Sequence, residues 1–214
     1  EITDFLKEDG KFIYNGDEPL LEERAAKIKQ DKSTFGFREE DTVFATTFRS
    51  YMHHATFEVN DSEQQFKIPM IGKHNVSNAL AAISVGRHFG ENDEQIAQAL
   101  ANFTPTANRM QWKKGDVGEA IMDDVYNSNP TAVKAVTTSF GQVMVKDGGR
   151  RIAVLGDMLE LGDESAELHA SLANALDPAI INELYLYGPE MKNLYDALVD
   201  KYPAANLHYY PQDE

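Results

Sequence analysis

Two hydrophobic periods divide this 214-residue chain. In the first third the period is mostly two. GKFIYN (10–15) reads as a short strand, followed by a charged helix across PLLEERAAKIK (19–29). STFGF (33–37), TVFATTF (42–48), ATFEVN (55–60) and QQFKIP (64–69) are short, β-branched or aromatic and partly alternating, which predicts antiparallel strands. The period then lengthens. In GKHNVSNALAAISVGRHFG (72–90), Val76, Leu80 and Ile83 with the small residues Ala79, Ala82 and Ser84 predict a closely packed helix ended by Gly90. Asn92 or Asp93 caps a second helix, EQIAQALANF (94–103), with Ile96, Ala99, Leu100 and Phe103 as its apolar face. Thr104–Pro105 stops that helix, and TPTAN (104–108) is the expected linker.

Beyond it the pattern becomes strand, loop, helix, repeated. EAIMD (119–123) leads to a helix from Pro130 that turns Val133, Val136, Phe140 and Val143 to one side. RIAVLG (151–156) leads to a helix near ESAELHASLANAL (164–176). INELYLYG (181–188) leads to PEMKNLYDALVDKY (189–202), with Met191, Leu194, Tyr195 and Leu198 inward, and NLHYY (206–210) closes. Such alternation predicts a parallel sheet covered on both faces. Ligands collect beyond the carboxyl ends of its strands, where DDVYNSNP (123–130) and GDMLELGDE (156–164) fall.

Composition narrows the function. Hydrophobic residues make up 42%, enough for a packed core, and the net charge of −15 argues against a nucleic-acid partner, whose phosphates need a cationic surface. With no cysteine there is no disulfide or thiolate chemistry, which fits a cytoplasmic setting. No apolar run approaches the ~20 residues of a membrane span, and the first residues do not resemble a signal peptide. Neither G-x-x-x-x-G-K-[ST] nor G-x-G-x-x-G is present.

The candidate chemistry sits in four places. Asn75 and Asn78, three apart, share a face of one helical turn and could offer donor and acceptor to a purine edge, with His74 beside them; the plainer reading is a helix start capped by Asn75 or Ser77. Arg109 follows the linker and suits a phosphate, or is a surface arginine. In DDVYNSNP, Ser128 or Asn129 with Pro130 is a helix start, which leaves Asp123, Asp124 and Asn127 unexplained. A carboxylate at a strand end commonly holds ribose hydroxyls. A metal shared by the two aspartates is the competing reading, although adjacent strand residues point to opposite faces. Asp157 directly follows a strand and is a ligand candidate, Asp163 and Glu164 suit a helix dipole, and His169 within the next helix reads as structural.

IPMIGKHNVSNALAAISVGRHFG (68–90), NRMQW (108–112), IMDDVYNSNPTAVKAV (121–136) and RIAVLGDMLELGDESAELH (151–169), in that order and spacing, closely resemble the Mur ligases of bacterial cell-wall synthesis. DDVYNSNP and VLGDMLELG are most similar to the branch that joins D-Ala-D-Ala to UDP-MurNAc-tripeptide. The resemblance implies an α/β fold: residues 1–106 as the C-terminal portion of a central ATP-binding domain with a mixed sheet, and 107–214 as a Rossmann-like C-terminal ligase domain with a mostly parallel sheet, truncated at its end. The phosphate loop, the principal Mg2+ ligands and the UDP-sugar domain would precede Glu1. The implied reaction is ATP-dependent amide formation through an acyl phosphate, by a monomer, with the chain alone inactive. The implied roles are Asn75 and Asn78 on adenine, His74 beside them, Arg109 on the terminal phosphates, and Asp124 on the ribose. Tyr126, Asn127, Ser128, Asp157 and Leu159 would line the dipeptide end. The alternatives are another Mur or folylpolyglutamate-type ligase, or a non-catalytic nucleotide-binding module.

Overall fold

Residues 2–211 are described by the computed structural model; Glu1 and residues 212–214, the outer ends of the two expected domains, lie outside the described residues. The chain forms two compact units, residues 1–106 and 107–214.

The first unit is a five-stranded mixed sheet in the order β1-β2-β3-β4-β5. β1 (Lys11–Asn15) and β2 (Asp31–Gly36) are joined through helix α1 (Pro19–Ala25), which carries proline in its first turn, and pair in parallel. β2 and β3 (Val43–Ser50) are also parallel, contrary to the antiparallel expectation for STFGF and TVFATTF. They overlap in two residue pairs only, Phe35↔Val43 and Gly36↔Phe44. β3 starts beside the end of β2, so a short loop suffices where a full parallel overlap needs a long crossover. Thr34 and Thr42 extend the seam, each hydroxyl accepting the other residue's N–H at 2.9 and 3.1 Å. The antiparallel expectation holds for β3 with β4 (Ala55–Val59) and for β4 with β5 (Gln65–Ile68).

Alternation puts Ala55, Phe57 and Val59 of β4 and Phe66 and Ile68 of β5 inside, and Phe57 faces Phe66 across the ladder with centroids 5.6 Å apart. Helix α2 (Lys73–His88) covers them with Val76, Ala79, Leu80 and Ile83, the i, i+3, i+4, i+7 stripe. Gly90 ends it at φ +89°, its N–H bonding the Arg87 carbonyl while Glu91 bonds that of Gly86. Asn92 then opens helix α3 (Asp93–Ala101) in a reciprocal cap with Gln95. The buried face of α3 is Ile96 and Ala97 with Leu100 half-buried, not the expected Ile96, Ala99, Leu100 and Phe103: Ala99 is exposed, and Phe103 lies past the helix end.

The second unit has two sheets. EAIMD does not join the parallel sheet. Its strand β7 (Ala120–Asp123) forms an antiparallel hairpin with β6 (Gln111–Lys114), a strand that periodicity over four residues does not reveal. Helix α4 (Pro130–Gly141) follows. β8 (Ile152–Gly156), β9 (Glu183–Tyr187) and β10 (Leu207–Tyr210) form an all-parallel sheet, with α5 (Ser165–Ser171) and α6 (Met191–Leu198) as crossovers. Val133 and Phe140 of α4, Leu172 just after α5, and Met191, Leu194 and Leu198 of α6 share one core with Leu184 and Leu186 of β9.

The opposite sheet face carries Val154 (73% exposed) and Tyr210 (50%), so cover on both faces is not found among the described residues. The strand order 10-9-8 advances in one direction. Crossovers of one hand then place successive helices on the same face, and two-sided cover requires a reversal of direction.

Candidate functional site

In the first unit the candidate residues lie at the start of α2. Gly72 precedes the helix at φ +92°, a conformation side-chain-bearing residues rarely adopt, and turns the chain from β5 into α2. The Lys73 ammonium rests over the Phe37 ring, 4.2 Å from its centroid. Asn75 and Asn78 sit on neighbouring turns but in different surroundings. Asn75 is buried and its amide nitrogen donates to the Ile71 carbonyl at 2.8 Å, whereas Asn78 is exposed. His74 is half-buried beside them. Asn75 is thus fixed by the core, and Asn78 is the amide solution can reach.

In the second unit the candidates form a turn zipped to the end of β7. Arg109 lies between Asn108 at φ +59° and Met110 at φ +46°. Asparagine tolerates the left-handed region; methionine there is uncommon, and such strain costs on the order of 1–3 kcal/mol. What holds it is visible. The Met110 side chain is buried, and its N–H donates to Asp124 Oδ1 at 3.0 Å. The Asn108 N–H donates to Gln111 Oε1 at 3.2 Å, and the Asn108 carbonyl accepts the Tyr126 N–H at 3.2 Å. The Arg109 guanidinium lies over the Tyr126 ring, 4.4 Å from its centroid.

The two aspartates diverge. Asp123 pairs with Lys113, whose ammonium is also 3.4 Å from Asn108 Oδ1, and Asp124 holds the turn. Asn129 caps α4, its Oδ1 accepting the Ala132 N–H at 2.9 Å, with Pro130 first in the helix. Asn127 is exposed and Ser128 half-buried.

The third cluster lies at the carboxyl end of β8. Asp157 accepts the Met191 N–H at 2.9 Å and the Glu190 N–H at 3.3 Å, so both oxygens serve the start of α6. Gly188, at φ +109°, leaves room for this carboxylate; a Cβ there would sit 2.4 Å from the Asp157 carboxyl carbon. Next to it the Met158 N–H donates to His169 Nε2 at 2.9 Å, which makes Nε2 the acceptor and Nδ1 the protonated nitrogen, donating to the Ser165 carbonyl at 2.7 Å. Ser165 Oγ donates in turn to Glu190 Oε2 at 2.8 Å. His169 is fully buried and braces the turn after β8. Leu159 is left exposed at the rim of an open cavity of about 390 Å³ lined also by Gly156, Asp157, Tyr187, Gly188, Pro189 and Pro211.

Gln111, Met110, Tyr187 and Gly188 did not stand out in the sequence. Gly188–Pro189 directly after an apolar strand is the turn signal that marks the last pair. The turn around Arg109 depends on contacts 14 and more residues away, which local pattern does not carry. Among the described residues no three His, Asp or Glu side chains gather as a metal site, and no helix is long and apolar enough to cross a membrane.

Residues 1–86 match the Mur ligase middle domain, and residues 108–214 match the family described as Mur ligase, glutamate ligase domain. The UDP-N-acetylmuramoyl-tripeptide–D-alanyl-D-alanine ligase of Bacillus subtilis is 37% identical over 188 residues, which is 88% of this chain and 40% of the relative. Among solved structures, MurF from Acinetobacter baumannii superposes with a TM-score of 0.83 at 24% identity, covering 98% of this chain and 44% of that one. MurF from Thermotoga maritima, solved in complex with ADP, gives a TM-score of 0.73 at 20% identity, covering 97% of this chain and 51% of that one. The chain thus spans about two fifths to half the length of these relatives.

Proposed function

The chain belongs to the Mur ligase family, and we propose that the whole protein it represents joins D-Ala-D-Ala to UDP-MurNAc-tripeptide at the expense of ATP. The observation that carries this reading is the Bacillus subtilis relative, 37% identical across 88% of the chain. A match over 188 of the 214 residues reaches into both units.

A carboxylate resists amines because its oxide cannot leave. Transfer of a phosphoryl group from ATP to the terminal carboxylate of the tripeptide supplies a leaving group. The dipeptide amine then attacks the acyl carbon, and phosphate departs with the C–O bond. The protein's part in such chemistry is positioning and charge stabilisation.

The donor set of this chain fits a nucleotide. Asn78, exposed on α2, takes the adenine, with Asn75 bracing the helix start beneath it and His74 beside them. Arg109 offers a planar fork of donors suited to phosphate oxygens, and Asp124 an acceptor for the ribose hydroxyls. Asn127 and Ser128 face the incoming dipeptide together with Asp157 and Leu159, which line the open cavity. No residue of this chain is assigned to Mg2+, because no described cluster fits it. The protein acts as a monomer, and the reaction belongs in the cytoplasm, where ATP is held.

The test is phosphate release by the full-length ligase. Turnover should require ATP, UDP-MurNAc-tripeptide and D-Ala-D-Ala together. Turnover with L-alanine or glutamate in place of the dipeptide would assign the chain to another branch, and nucleotide binding without turnover would make it a non-catalytic module.

A further inference from the structure

We propose that Tyr126 is a positioning residue for Arg109: its ring is the platform that holds the guanidinium in place while leaving its N–H donors available to an anion. The proposal deepens the ligase reading and rests on it for the identity of that anion, a phosphoryl group.

Three observations converge. First, the backbone around Arg109 is fixed. It lies between two left-handed residues, and Asp124 and Tyr126 tie it down through the Met110 N–H and the Asn108 carbonyl. A fixed backbone does not fix an arginine head, which lies at the end of a long side chain rich in rotamers.

Second, the head is held by a ring and by no carboxylate. The guanidinium carbon is 4.4 Å from the Tyr126 centroid, and among the described residues no ion pair involves Arg109. That is notable in a chain of net charge −15. A carboxylate would orient the arginine by occupying the donors a phosphate needs. A ring attracts the cation through its face and occupies none of them.

Third, Tyr126 has no packing role to explain it. It is 63% exposed and belongs to neither hydrophobic core. The resemblance to the family implies a place for Tyr126 at the dipeptide end; its ring meets the arginine proposed for the terminal phosphates.

The experiment has two arms. In the 214-residue chain, the Arg109 side-chain protons are followed by NMR. Protons over an aromatic face resonate upfield, so the shift is expected in wild type and in Tyr126→Phe and is expected to vanish in Tyr126→Leu. Absence of the shift in wild type overturns the proposal, whatever reaction the whole protein performs.

In the full-length ligase, Tyr126→Leu is expected to lower kcat about threefold to tenfold, the equivalent of a partly desolvated cation–ring contact. KM for D-Ala-D-Ala should stay within about twofold, Tyr126→Phe should restore kcat, and adding Tyr126→Leu to Arg109→Ala should cost nothing more. A raised dipeptide KM at unchanged kcat would put the ring in the dipeptide site and overturn the proposal. So would losses that multiply in the double variant. A wild-type full-length protein without ligase activity sinks the ligase reading and leaves the stacking decided by the resonance.

Discussion

Arg87, in the last turn of a helix, and Arg109, in the turn before β6, are both half-buried, and they are held by opposite means. Arg87, in the last turn of α2, donates to both oxygens of Asp93 at 2.8 and 2.7 Å and fastens α2 to the first turn of α3. Arg109 meets a ring instead, on a turn whose left-handed residues are anchored by Asp124. The first arrangement pairs the guanidinium with a carboxylate and commits the N–H groups that face it. The second orients it and leaves it unsatisfied. Within one chain, then, two arginines of similar burial differ in what holds them, one a carboxylate and the other a ring.

The contrast is most exposed to failure at Arg109. In the full-length ligase, Arg109→Ala is expected to lower kcat by about 100- to 1,000-fold, as removal of a single charge-stabilising donor does elsewhere. KM for the UDP substrate should change little, and the melting temperature not at all. A fall in stability as large as the fall in rate would make this arginine a fastener too.

The buried amide of α2 supplies an intermediate case. Asn75→Ala removes the bond to the Ile71 carbonyl and is expected to cost about 1–3 kcal/mol in urea unfolding. Unchanged stability with a raised KM for ATP would move Asn75 from brace to ligand.

The smallest effect belongs to Arg87. Its hydrogen bonds hold the Asp93 carboxyl below the ordinary range, against the burial that pushes it up. A depressed carboxylate stabilises the fold at pH values above its unfolded value of about 3.9 and loses that contribution as pH falls through the folded value. Arg87→Ala should therefore cost about 0.5–1 kcal/mol at pH 7, with the gap to wild type closing in melts taken below about pH 4. A gap that persists at low pH would mean the pair acts through packing and not through charge.

Much of this was legible in the chain itself. The stripe of Val76, Leu80 and Ile83, the stop at Gly90 and a cap at Asn92 are written within single turns of sequence, and all appear as expected. Strand direction is different. Nothing in STFGF says whether its neighbour runs with it or against it, because that depends on where the next strand begins. β7 likewise reads as one more strand of the parallel sheet until its partner, Gln111–Lys114, is known. The DDVYNSNP stretch divides along the same line. Asn129 and Pro130 belong to the helix that follows them and could be read locally. Asp124 and Tyr126 act on residues 108–110, and their roles emerge only when the chain has folded back.

The two-residue overlap of β2 and β3 has a wider consequence. It joins a parallel half-sheet, with its helical crossover, to an antiparallel meander, and among the described residues the ladder they share is that short stretch, extended by a pair of threonine hydroxyls. Insertions in the loops of one half need not shift the pairing of the other.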